Sequence, residues 1–126
     1  MAETIMQIGS FRQGVISPLD EESSMIGHGF SEGPVRVDYL GIHPNGGFNI
    51  LWDDELFEVL SVECHLLLLD EHESECIPLE KIDMAIKALQ KHKQKFTHDY
   101  TKVFVKMLID LMESAKVRGY PVYFVL

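Results

Sequence analysis

The sequence predicts an α+β domain in which an antiparallel sheet packs against two C-terminal helices. Three observations carry this expectation. Residues 34–42 alternate apolar and polar side chains and run into an Asn-Gly turn. Two stretches of the last third repeat apolar residues at spacings of three and four. A β-prone run, Val122-Tyr123-Phe124-Val125, closes the chain, and its backbone needs neighbouring strands to satisfy it. With 126 residues, 46% hydrophobic and 25% charged, the chain has the size and composition of one globular domain spanning 1–126.

Taken in order, residues 4–8 suggest a short strand. Residues 9–33 carry Gly14, Pro18, Gly27, Gly29 and Gly33 around Asp20-Glu21-Glu22-Ser23-Ser24, a loop-like composition. Val35, Val37 and Tyr39 alternate with Arg36, Asp38 and Leu40 as in a strand. His43-Pro44-Asn45-Gly46-Gly47 then offers a type I′ hairpin turn, with a returning strand over Phe48-Asn49-Ile50-Leu51-Trp52. Asp53-Asp54-Glu55 supplies a cap and an acidic first turn to a short helix through Leu60. Residues 62–69 read as a buried strand and residues 70–75 as an acidic, solvated connection.

Pro78 opens the first long helix, whose apolar face is Leu79, Ile82, Ala85, Ile86 and Leu89. Lysines 87, 91, 93 and 95 gather at its far end, the negative pole of the helix dipole. Residues 97–99 cap the second helix, whose stripe is Phe104, Met107, Leu108, Leu111, Met112 and Ala115. Gly119 supplies its left-handed stop.

Charge divides the chain sharply. Residues 1–76 hold fifteen acidic residues and two basic ones, Arg12 and Arg36, a net of −13; residues 77–126 carry +4. Such asymmetry speaks about partners. It favours something cationic and disfavours nucleic acid and anionic lipid. The basic run Lys91-His92-Lys93-Gln94-Lys95 is therefore read as a solvated helix end, with some lysines turned toward the protein's own acids. No apolar run reaches the roughly 18–20 residues of a membrane span, and the N-terminus has no signal-peptide pattern. Two cysteines are too few for a disulfide scaffold, so a reduced, cytoplasmic protein is expected.

Motifs for chemistry are sparse. Cys64, His65, Asp70, His72 and Cys76 are all ligand types within thirteen residues, but no pair has zinc-site spacing. The expectation is no metal and no cofactor. Gly27-His28-Gly29 and Asn45-Gly46-Gly47 lack the strand-to-helix context and the lysine of a phosphate loop. No serine sits in a Gly-x-Ser-x-Gly elbow. The acidic connections stand out instead, and with Trp52 they give a candidate partner-binding set: Trp52, Asp53, Asp54, Glu55, Asp70, Glu71, Glu73 and Glu75.

The order of elements Leu66-Leu67-Leu68-Leu69-Asp70, an acidic break, Pro78-Leu79-Glu80 with its helix, a second helix ending Ala115-Lys116-Val117-Arg118-Gly119, and Pro121-Val122-Tyr123-Phe124 resembles small bacterial immunity proteins. These neutralise toxins of polymorphic or contact-dependent systems. The resemblance covers residues 62–126 and is one of element order. It implies a non-enzymatic protein that binds and blocks a cognate toxin, many such toxins being basic nucleases. Two other readings stand beside it: an enzyme or metal protein using His28, His43, Cys64, His65, Asp70 and His72, and a homodimeric housekeeping interaction domain.

Overall fold

A computed structural model describes residues 3–7, 13–21, 34–64 and 74–125. Among these, the strands are β1 (Glu3–Gln7), β2 (Gly14–Pro18), β3 (Pro34–Gly41), β4 (Ser74–Ile77) and β5 (Val122–Val125). They form one antiparallel sheet in the order β1-β3-β2-β5-β4. The helices are α1 (Gly47–Asp53), α2 (Leu56–Glu63), α3 (Leu79–Lys91) and α4 (Asp99–Arg118), and a 3-10 turn covers Lys93–Lys95. The α+β class expected from the sequence is the class observed.

Strand alternation sorts the sheet into two faces. Val15, Leu40, Ile77, Val122 and Phe124 share the main core with the helices. Ile16 and Val37 are buried on the opposite face, beside Tyr39, Tyr123 and Val125. The helix α4 lies over β2 and β3 and packs against α1 and α3. Its buried residues Thr101, Phe104, Val105, Leu108, Leu111, Met112 and Ala115 keep helical spacing, and Gly119 ends it at φ 84°. In α3, Ile82, Ala85, Ile86, Ala88 and Leu89 face inward. Leu79 and Met107, expected on the apolar faces, are instead exposed.

Four expectations are corrected. Residues 14–18, placed in a loop by their glycine- and acid-rich surroundings, form the central strand β2. Both its faces are buried, so it lacks the alternation that reveals a half-exposed strand. Gly14 is needed there: a Cβ would lie 2.7 Å from both the Leu40 carbonyl oxygen and Tyr39 Cε1.

The Asn-Gly hairpin is absent, and residues 47–53 are helical. A type I′ turn needs positive φ at both central residues. Gly46 has φ 90°, but among the described non-glycine residues positive φ occurs at Glu55 and not at Asn45. The turn is held by other bonds. The Gly47 and Ile50 amides donate to the His43 and Gly46 carbonyls, and the Asn45 amide donates to His43 Nδ1. Phe48 and Leu51 then bury at a helical spacing of three.

Val62 and Glu63 belong to α2 rather than to a strand; residues 65–69 of that expected strand lie outside the described residues. Ser74 and Glu75, expected in a solvated connection, pair with Val125 and Phe124 in β4. An edge strand bonds on one side only, so it tolerates polar sequence. The helices number four among the described residues, one more than expected: α2 is the short helix expected after Asp53-Asp54-Glu55, and α1 takes the place of the returning strand.

Candidate functional site

The junction of α1 and α2 is where sequence and structure converge on a surface feature. Phe48 and Leu51 anchor α1 in the core, and one turn after Phe48 comes Trp52. The Trp52 ring stacks on Phe48 at 5.9 Å and tilts against Phe57 at 6.3 Å. Phe48 and Phe57 stack in turn at 5.1 Å, and Phe57 meets Phe124 edge-on. An aromatic column thus runs from the sheet to the surface, and its outermost ring stays 37% exposed. Trp52 is a fixed, half-open platform rather than a core residue.

Around this ring Trp52, Asp53, Glu55 and Glu58 line a concavity of about 440 Å³. The three acids are not equivalent. Glu55 accepts an ion pair from Lys95 Nζ at 2.6 Å, which pushes the Lys95 ammonium above its ordinary pKa. Asp53 and Glu58 form no close ion pair among the described residues, although Glu58 lies within the field of the Lys95 ammonium.

Asp54 does something else. Only 7% exposed, it points away from the concavity toward the start of α4. Its Oδ1 accepts the Thr97 amide at 3.2 Å and the Thr97 hydroxyl at 2.9 Å; its Oδ2 accepts the His98 amide at 3.0 Å. Burial opposes its ionisation. The Thr101 hydroxyl, the two amides and the Thr97 hydroxyl outweigh burial and bring its pKa down to about 2. Thr101 Oγ1 is buried and has no partner within bonding distance, so the bonds formed to Asp54 are those of Thr97 and His98. The carboxylate also sits at the positive pole of α4. Asp54 therefore ties the end of α1 to the start of α4, and its carboxylate is buried in those bonds rather than lining the concavity.

The turn that aims these side chains is strained at one point. Glu55 adopts φ 64°, ψ 24°, a left-handed conformation that L residues disfavour. It separates α1 from α2 without a longer loop, so that Trp52 and Glu58 can line one concavity.

Of the sequence-derived set, the structure brings together Trp52, Asp53 and Glu55. Asp70, Glu71 and Glu73 lie outside the described residues, and Glu75 is placed by its backbone in β4. Glu58 was not among the candidate site residues, although it falls in the first turn of the short helix expected after Glu55.

The ligand-type cluster is dispersed as far as it is described. Cys64 is fully buried in the helix-side core, where burial raises its thiol pKa and keeps it protonated. Cys76 precedes Ile77, which faces that same core, so strand alternation turns Cys76 to the other face of the sheet. His28, His65, Asp70 and His72 lie outside the described residues, and no group of three or more metal-ligand side chains occurs among the described ones. His43 uses its ring to hold the α1 turn. No described helix is long and apolar enough to cross a membrane.

Comparison with family models, with curated proteins and with solved structures found no match to this chain.

Proposed function

We propose that this chain is a non-enzymatic binding protein that captures a basic protein partner, in the manner of an immunity protein blocking a cognate toxin domain. The observation that carries the reading is the Trp52 concavity. A half-exposed indole on a rigid aromatic column, flanked by the carboxylates of Asp53 and Glu58, suits the side chain of an arginine or lysine. The cation would lie over the ring face while its charge meets the carboxylates, an arrangement that gains about 1–2 kcal/mol when water is excluded. The acidic surplus of residues 1–76 adds long-range steering toward a positive surface.

The test is co-expression with any basic toxin domain found encoded beside the gene. The expected result is a stable one-to-one complex and loss of toxicity. Free toxin in the presence of excess, folded protein contradicts the proposal.

A further inference from the structure

The described basic residues divide into two groups. Arg36 pairs with Asp20, Lys87 and Lys116 with Asp83, Lys91 with Glu63, Lys95 with Glu55 and Arg118 with Asp38. Lys81 is engaged as well. Lys93, Lys102 and Lys106 alone among the described cations have no such partner. All three line one groove of about 670 Å³ between the end of α3, the 3-10 turn and α4.

This convergence follows from helix geometry. Lys102, Val105, Lys106 and Ile109 lie at steps of three and four along α4, so they share one face. On the 3-10 turn, Lys95 reaches to Glu55 on the acidic side while Lys93 lines the groove. Phe96, Val105 and Ile109 supply an apolar floor beneath the ammonium groups, and Asp110 marks one end.

We infer that this groove docks an acidic, amphipathic segment of a protein partner. Its apolar side chains settle over Val105 and Ile109, and its carboxylates meet Lys93, Lys102 and Lys106. Charge complementarity selects the occupant. At physiological ionic strength the screening length is about 8 Å, so a docked segment senses these three cations more than the net charge of −9. A small phosphate ligand fits less well, because the start of α4 already faces the Asp54 carboxylate and no helix N-terminus opens on the groove for it. A nucleic acid, spreading its charge beyond three lysines, meets the acidic remainder of the chain. The inference is independent of the Trp52 concavity.

The probe is a fluorescein-labelled, capped 14-residue peptide with leucines at helical spacing among glutamates, titrated with the full chain by anisotropy in about 0.15 M NaCl. A scrambled peptide of equal composition and a labelled 14-mer of thymidylate serve as the other arms. The expected result is saturable binding of the amphipathic peptide, with methyl NMR shifts centred on Val105 and Ile109. Binding should weaken at least tenfold in the Lys93→Ala/Lys102→Ala/Lys106→Ala protein and stay unchanged in Asp53→Asn/Glu58→Gln. The lysines are exposed, so the triple variant keeps its fold, checked by circular dichroism. Absence of saturable binding, equal binding of the scrambled peptide or the thymidylate, or an unaffected triple variant overturns the inference.

Discussion

The Asp54 carboxylate accepts both the amide and the hydroxyl of Thr97, forty-three residues away in sequence. Through this contact the corner that carries Trp52 is tied to the start of the longest helix. The same carboxylate takes the His98 amide, so three donors depend on one buried side chain. Replacing Asp54 with Ala should destabilise the fold by about 2 kcal/mol, since it removes the shared acceptor of three donors and a charge from the helix pole. Asp54→Asn, which keeps one acceptor, should lose less. Urea unfolding followed by circular dichroism measures both; a midpoint unchanged in Asp54→Ala refutes the tether.

The same contact predicts an acid limit. Asp54 has its pKa lowered from 3.8 to about 2 in the folded chain. A carboxylate with a depressed folded-state pKa contributes stability that is complete above its unfolded value and is lost as pH falls through the folded one. Asp54 should therefore contribute on the order of 2 kcal/mol above pH about 4, declining toward pH about 2. Glu63, lowered by its hydrogen bond to His92 and by Lys91, and Asp83, lowered by Lys116 and Lys87, act in the same direction at the surface. Unfolding free energies measured across this range should flatten in Asp54→Asn. An equally steep acid loss in the variant would assign the effect elsewhere.

Glu55 is the one described non-glycine residue with positive φ, and its side chain is exposed. Replacement by Gly removes a left-handed strain of about 1 kcal/mol. It also removes the exposed pair with Lys95, which water and salt weaken. The net expectation is a small gain in thermal stability. A drop in melting temperature would show that the pair with Lys95 is what holds the corner.

How much of this was legible follows from where each residue's partner lies. The helices α3 and α4 and the strand β5 carry their signals locally, in spacing, in Pro78 and in Gly119. β2 does not, because Val15 and Ile16 are buried on opposite faces by elements distant in sequence. Residues 48–52 satisfy strand propensity and helix spacing alike. The choice falls to tertiary contacts: the Tyr100 hydroxyl receives the His43 amide, and the Phe48–Phe57 stack requires the helical spacing. At the candidate site, Trp52, Asp53 and Glu55 were readable as an acidic corner with an aromatic. The inward turn of Asp54 was not, since its three donors lie 43 and 44 residues onward. The pairing of Lys91 and Lys95 with Glu63 and Glu55 bears out the expectation that some lysines face the protein's own acids.

In the proposed function, Trp52 anchors a cationic side chain of a basic partner. The most direct measurement is the affinity of any basic toxin domain found encoded beside the gene for the native protein and for Trp52→Ala, by titration calorimetry at fixed salt. Trp52 rests on Phe48 and Phe57 but is not itself in the core, so the variant should fold. Removing the ring should cost at least about 2 kcal/mol, roughly thirtyfold, whereas Asp53→Asn/Glu58→Gln should chiefly slow association. A Trp52→Ala protein that binds the toxin domain as tightly as the native chain would contradict this role.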